Sequence, residues 1–284
     1  METYTTVIQA KSRGLNLNLK ELWRYRDLIF LFVKRSFVTR YKQTILGPAW
    51  AIIQPLLTTV VFTVVFGNIA GLGAQGVPSF VFFFSGTMLW TYFSTCLTGT
   101  ANTFIGNRGI LGKVYFPRLV MPVSGTLTHL ITFAIQFFFF ACFLVYYLLT
   151  GENVHPNLYA LMLPLLLIQL AMLGLGVGVI ISALTTKYRD LSMLTGFGVS
   201  LWMYGTPVAY DMEAMGAFAT GGKYHALYML NPVTSIVNIF RYGFLGIGQI
   251  EWKYYGIGWI VTVLFLLLGI MMFNRVERTF MDTI

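Results

Sequence analysis

The sequence predicts an all-α integral membrane protein with six transmembrane helices, an N-terminal amphipathic interface helix, and re-entrant outer helices between spans five and six. Three observations predict it. Of the 284 residues, 57% are hydrophobic and only 10% charged, whereas soluble domains average about 25% charged residues. Residues 43–107, 119–151, 153–186, 191–210 and 254–274 contain no Asp, Glu, Lys or Arg, and a spanning helix needs about 20 apolar residues. The basic residues are also segregated. Segments 11–42, 108–118, 187–189 and 275–278 hold 9, 3, 2 and 2 of the 19 Lys and Arg, leaving only Lys223, Arg241 and Lys253 elsewhere. Placing those four segments inside satisfies the positive-inside rule and makes both termini cytoplasmic. The net charge of +9 therefore records topology, and no nucleic-acid partner is expected.

Residues 1–44 read as a cytoplasmic N-terminus. They are polar and basic, so no secretory signal is expected there. Within them, residues 20–43 carry a helical pattern. Leu22, Ile29, Phe30, Val33 and Phe37 share one face, with Lys20, Arg24, Asp27, Lys34, Arg35 and Lys42 on the other and Arg26 and Arg40 interrupting. Such a helix suits the headgroup layer, where anionic lipid attracts Lys and Arg. A buried helix in a soluble extension is the alternative. The stretch RYKQTILGPAWAIIQPLL (40–57) then loses all charge after Lys42. Gly47-Pro48 suits a sharp turn into the first span, where the missing N–H of proline costs least. Pro55 falls inside that span, so a neighbour must satisfy the carbonyl it frees.

The six expected spans lie near 45–66, 80–104, 119–149, 158–184, 191–210 and 255–274, within a membrane domain covering 45–275 and followed by a cytoplasmic tail at 276–284. The Gly-rich GNIAGLGAQGVPS (67–79) divides the first long run. Inner loops follow spans two and four: GNRGILGKVYFPRLVMP (106–122), with room for a short helix, and the tight basic TTKYRDLS (185–192). Residues 211–253 are awkward. LNPVTSIVNIFRYGFLG (230–246) is mostly apolar, yet a charge at mid-bilayer costs about 2.5–3.5 kcal/mol, so Arg241 argues against a seventh span. Short helices dipping into the outer leaflet account for both features.

No catalytic, cofactor-binding or metal-binding residues are expected. The ten acids sit outside the spans, and His129, His155 and His225 lack metal-ligand spacing. For His129 a core or interhelical hydrogen bond is the expected role. Cys96 and Cys142 have no CxxC partner and read as small buried apolar residues. GLGAQG (71–76) mimics a dinucleotide motif but lies in an outer loop, and 106–113 fails as a phosphate loop because Val114 stands where Ser or Thr is required. Gly174 and Gly178 form a GxxxG suited to close helix approach, within one chain or between two. Aromatic residues inside spans read either as lipid contacts or as a corridor stacking on sugar rings.

Taken together, RYKQTILGPAWAIIQPL (40–56), GNRGILGKVYFPRLVMPVS (106–124), KYRDL (187–191) and LNPVTSIVNIFRYGFLG (230–246) resemble the permease subunit of ABC-2 type transporters, polysaccharide-export branch. The resemblance covers about residues 20–280. It implies a homodimer joined by two ATP-binding subunits, which would bind ATP and Mg while this chain holds no cofactor. It implies export of an undecaprenyl-diphosphate-linked glycan, O-antigen above capsule or teichoic acid, across the bacterial cytoplasmic (inner) membrane, in lipopolysaccharide biosynthesis.

On that pattern Asn107, Arg108, Gly109, Ile110, Leu111, Lys113, Tyr115 and Phe116 match the ATPase coupling helix. Arg35, Arg40 and Lys42 would meet the substrate diphosphate. Trp50, Phe62, Phe66, Phe197, Trp202 and Tyr204 are channel candidates, and Asn231, Pro232 and Arg241 belong to the outer gate. An ABC-2 drug or lipid exporter is the nearer alternative. A polyprenol-processing membrane enzyme is the farther one, with Asp190 its sole inner-loop carboxylate.

Overall fold

The computed structural model describes residues 19–42, 44–74, 76–107, 109, 116–188 and 190–280, and all regular structure among them is helical. Short α1 (Leu19–Arg24) precedes α2 (Arg26–Tyr41). One 3-10 turn, Gly47–Ala49, leads into α3 (Trp50–Phe62), which continues as π-helix over Thr63–Ile69. Next come α4 (Ser79–Ala101), the single turn α5 (Thr103–Gly106) and the long α6 (Val120–Leu149). A 3-10 stretch, Leu158–Met162, opens α7 (Leu163–Lys187), and α8 (Leu191–Tyr204) follows. Short α9 (His225–Met229), α10 (Pro232–Leu245) and α11 (Trp252–Phe280) complete the chain.

Among the described residues, five segments are long and apolar enough to cross a membrane: Gly47–Ile69, Ser79–Ala101, Val120–Leu149, Leu158–Thr185 and Trp252–Met272. The fifth expected span differs. Over 191–210 only the 14 residues of α8 are helical, and turns follow. At 1.5 Å per residue α8 is about 21 Å long, short of a hydrocarbon core of roughly 30 Å.

α4 is the central helix, with 78% of its most apolar stretch buried. It packs against α3, α6 and α7, and α7 packs in turn against α11. Rings fill the core. Phe84, Phe140 and Phe143 meet edge-on or tilted, and Phe140 also contacts Phe240 and Phe244 of α10. Several aromatics expected at lipid are therefore interior, while Phe138 and Phe139 are exposed. Cys96 is buried, but Cys142 is exposed, because its position on α6 turns away from the core.

Glycines set the closest approaches. A Cβ on Gly178 would lie 2.6 Å from the Leu97 carbonyl oxygen, and one on Gly174 would lie 2.9 Å from Cys96 Cβ. The GxxxG contact is thus within one chain, α7 on α4. Between them, Gly176 faces α11, where its Cβ would sit 2.7 Å from Leu266 N.

Pro55 behaves as its chemistry requires. It leaves the Ala51 carbonyl without its helical donor, and Gln136 Nε2 of α6 donates to that oxygen at 2.9 Å. Thr59 adds a hydroxyl contact to Thr87 of α4 at 2.9 Å.

α2 lies on the start of α6. Ile29 and Val33 are buried against Phe116, Val120 and Met121, with Leu22, Tyr25, Leu28 and Phe32 packed alongside. Of the expected apolar face, α6 covers Ile29 and Val33, while Phe30 is 65% exposed and Phe37 is half-buried. Protein, not lipid alone, covers the apolar face.

Candidate substrate path and outer gate

Residues 205–250 gather at the end of the bundle where α4 begins. Asp211 N–H donates to the Leu72 carbonyl, in the connection between α3 and α4. At the other end, Leu191 and Leu194 of α8 line a groove with Leu97, near the end of α4. The chain from 191 to 211 therefore runs the length of α4.

Asn231 ties the two sides of this cap together. Its Oδ1 accepts from Val233 N at 3.1 Å and from Trp202 Nε1 at 3.1 Å. Its Nδ2 donates to Gly205 O at 3.0 Å and Thr206 Oγ1 at 2.9 Å. Every hydrogen-bonding position of the side chain is used. It caps α10, with Pro232 at the first turn, where proline is pre-organised.

Arg241 is 3% exposed. Its guanidinium lies 3.7 Å from the Phe82 ring centroid. Nε donates to Ser85 Oγ at 3.3 Å, and Nη2 to Val208 O at 3.2 Å and Phe82 O at 3.4 Å. One side chain thus fastens α10, α4 and the turn after α8. Gly86 makes the room, since a Cβ there would lie 2.8 Å from both Nη2 and Val208 O. No sequence period pointed to Gly86.

At the far end of α10, Gly243 and Leu245 carbonyls accept from Asn157 N and His155 N at 2.9 and 3.2 Å. A second set of polar ties holds α9 to the residue before α11 and to the turns after α8. His225 Nε2 meets Glu251 at 2.8 Å, and Tyr210 and Tyr228 join their hydroxyls.

The channel candidates divide into three groups. Trp50, Phe197 and Tyr204 are exposed, on the apolar faces that α3 and α8 leave uncovered along with Leu57, Val60, Val61 and Leu201. Phe62 is buried at 7% exposure against Phe66 and Phe83, so it offers no surface to a path beside the chain. Trp202 is half-buried, packed edge-on against Phe93 at 5.0 Å, while Phe66 is half-buried beside Phe62.

At the opposite end, Arg35, Arg40 and Lys42 are exposed on α2. Arg35 and Arg40 line a cavity shared with α4 and α6, and Lys42 is not among its lining residues. Of the expected coupling helix, Arg108, Ile110, Leu111, Lys113 and Tyr115 lie outside the described residues. Asn107 is half-buried, Gly109 exposed and Phe116 buried against α2. Nδ1 of His129 is buried without a partner among the described residues. No group of three metal-ligating side chains occurs among the described residues.

Comparison with known proteins places this arrangement. The ABC-2 type transporter family matches residues 27–245, and the chain belongs to that family. It is a multi-pass membrane protein of a transport system, and the family implies an ATP-binding partner subunit. Among relatives, an "O-antigen export system permease protein RfbA" of Klebsiella pneumoniae is 26% identical over 258 residues, covering 90% of this chain and 94% of the relative. A Myxococcus xanthus protein of the same name is 28% identical over 224 residues, covering 78% and 82%.

Proposed function

We propose that this chain is the permease subunit of an ATP-driven exporter that carries undecaprenyl-diphosphate-linked O-antigen polysaccharide across the bacterial inner membrane. The observation that carries the reading is the family match over 27–245, joined to relatives named as O-antigen export permeases along 90% of the chain. The chain acts as a homodimer with two ATP-binding subunits and does no chemistry of its own.

In this reading the chain makes six crossings and both termini are cytoplasmic. α8 is short, but α8 and its following turn run the length of α4, so the chain from 191 to 211 passes from one end of the bundle to the other. α9 and α10 then form re-entrant helices at the outer end, pinned by Asn231 and Arg241. α2 is the interface helix, anchored through Ile29 and Val33 with Lys34, Arg35 and Arg40 exposed. The exposed faces of α3 and α8, bearing Trp50, Phe197 and Tyr204, meet the polymer or the second protomer. Asn107 to Phe116 seat the ATP-binding subunit. Arg35, Arg40 and Lys42 meet the diphosphate, for which the planar guanidinium fork is suited.

Deleting the gene and supplying the chain in trans tests the proposal. Loss of surface O-antigen, with lipid-linked polymer accumulating inside the cell and an ATP-binding subunit co-purifying with the restored chain, is the expected result. Normal surface polymer in the deletion strain overturns it.

A further inference from the structure

His225 opens α9, and both nitrogens of its ring face acceptors. Nδ1 lies 3.1 Å from the Phe218 carbonyl oxygen, and Nε2 lies 2.8 Å from Glu251 Oε1. A carbonyl only accepts, so Nδ1 carries a hydrogen; an ionised carboxylate also only accepts. The contact between Nε2 and Oε1 therefore holds a second proton, which leaves either the ring charged or the acid neutral. A neutral ring beside an ionised Glu251 has one hydrogen for two acceptors. His225 is 8% exposed, so little water reaches the ring to replace a lost bond. The Glu251 side chain is 29% exposed, which keeps the pair in contact with the surrounding solution.

The two acceptors belong to different parts of the cap. Phe218 sits in the turns between α8 and α9, which close on themselves: Thr220 N donates to Glu213 Oε1 at 3.2 Å, and Tyr224 N donates to Ala217 O at 3.0 Å. Glu251 immediately precedes α11. From α11, the Tyr254 ring stands 5.9 Å from the imidazole, and the Lys253 ammonium lies 5.7 Å from that ring. Lys223, just before α9, lies 5.4 Å from the Tyr224 ring, and Tyr228 of α9 joins hydroxyls with Tyr210. Glu251 shares a small cavity of about 70 Å³ with Asp211, Glu213 and Arg241.

We infer that His225 and Glu251 form a proton-dependent latch, which holds α9 and the turns before it against the start of α11. With the shared proton bound, both ties are made. Loss of that proton as pH rises frees either the Phe218 carbonyl or Glu251, and the cap loosens. A more acidic outer solution keeps the cap down. That this cap closes the exit of a polymer path rests on the export reading; the latch itself does not.

The test uses the permease with its ATP-binding partner in phosphatidylcholine nanodiscs. Spin labels are placed at Gly216→Cys in the cap and Gly256→Cys on α11, in a Cys142→Ser background; a Cβ at either glycine meets nothing within 4 Å. Distances between the labels are read by pulsed electron paramagnetic resonance at roughly pH 6 and pH 8, on either side of the ordinary imidazole range. The longer-distance population is expected to rise severalfold at the higher pH. Glu251→Gln is the discriminating variant, because the new amide donates to a neutral ring and keeps both ties, so its distances stay short at both pH values. His225→Leu is expected to show the longer population at both. Unchanged distances in the protein with His225 and Glu251 intact overturn the latch. A pH shift that survives Glu251→Gln also overturns it, since another group is then the sensor. ATP-driven polymer transfer by the same complex is read in parallel: its absence at both pH values defeats the export reading alone, whereas transfer with unchanged distances defeats the latch alone.

Discussion

Gln136 and Pro55 show how a single side chain repairs a backbone defect. Replacing Gln136 with Leu leaves the Ala51 carbonyl buried without a donor, at a cost of about 1–3 kcal/mol. Pro55→Ala returns an N–H to that carbonyl, so Gln136→Leu is expected to lower the unfolding midpoint in detergent much less when Pro55→Ala is also present. Equal losses in the two backgrounds would separate the residues. Gly86→Ala is expected to destabilise by roughly 1–3 kcal/mol, because the new methyl meets the Arg241 guanidinium and the Val208 carbonyl. The check is the same unfolding midpoint, together with loss of surface polymer. Pro55's need for a partner was legible in the sequence, since it follows from covalent structure. The partner was not, because Gln136 lies 85 residues away. Arg241 announced itself as a charge in an apolar stretch, but the ring of Phe82 and the glycine that admits it are tertiary facts.

Helices were legible to the extent that hydrophobic length defines them. α4, α6, α7 and α11 fall close to their expected positions because each contains a long charge-free run. α8 ends at Tyr204 although the charge-free run reaches 210. Thr206 and Asn231 draw the chain into turns there, and hydropathy does not see hydrogen bonds. The packing partner of α2 was not legible, because no pattern within α2 points to the start of α6, which covers Ile29 and Val33. The GxxxG on α7 was legible as a contact but not as an intramolecular one. Gly178→Leu is expected to prevent α7 from seating on α4 and to abolish accumulation of folded protein, as read by size-exclusion of a fluorescent fusion. Gly196→Leu on α8, where a Cβ meets nothing within 4 Å, is expected to accumulate normally.

Across the whole molecule the proposed six-crossing arrangement makes a testable statement about sidedness. Gly216 and Gly109 are both exposed and both free of Cβ contacts. In a Cys142→Ser background, Gly216→Cys is expected to react with a membrane-impermeant thiol reagent in spheroplasts, and Gly109→Cys only after permeabilisation. Labelling of both from the same side would remove the crossing assigned to α8. Charge segregation is what suggests this sidedness in the sequence, whereas the cavity between α2, α4 and α6 was not legible, because its walls come from three helices that no local pattern links. The burial of α4 carries a mechanical consequence. With α3, α6 and α7 all leaning on it and α11 locked to α7 at Gly176, α4 is the doorpost of the protomer. If the chain exports as proposed, force arriving from the cytoplasmic side would swing the outlying helices about that post, so the passage is expected to open by displacing α3 and α8 rather than by parting the centre.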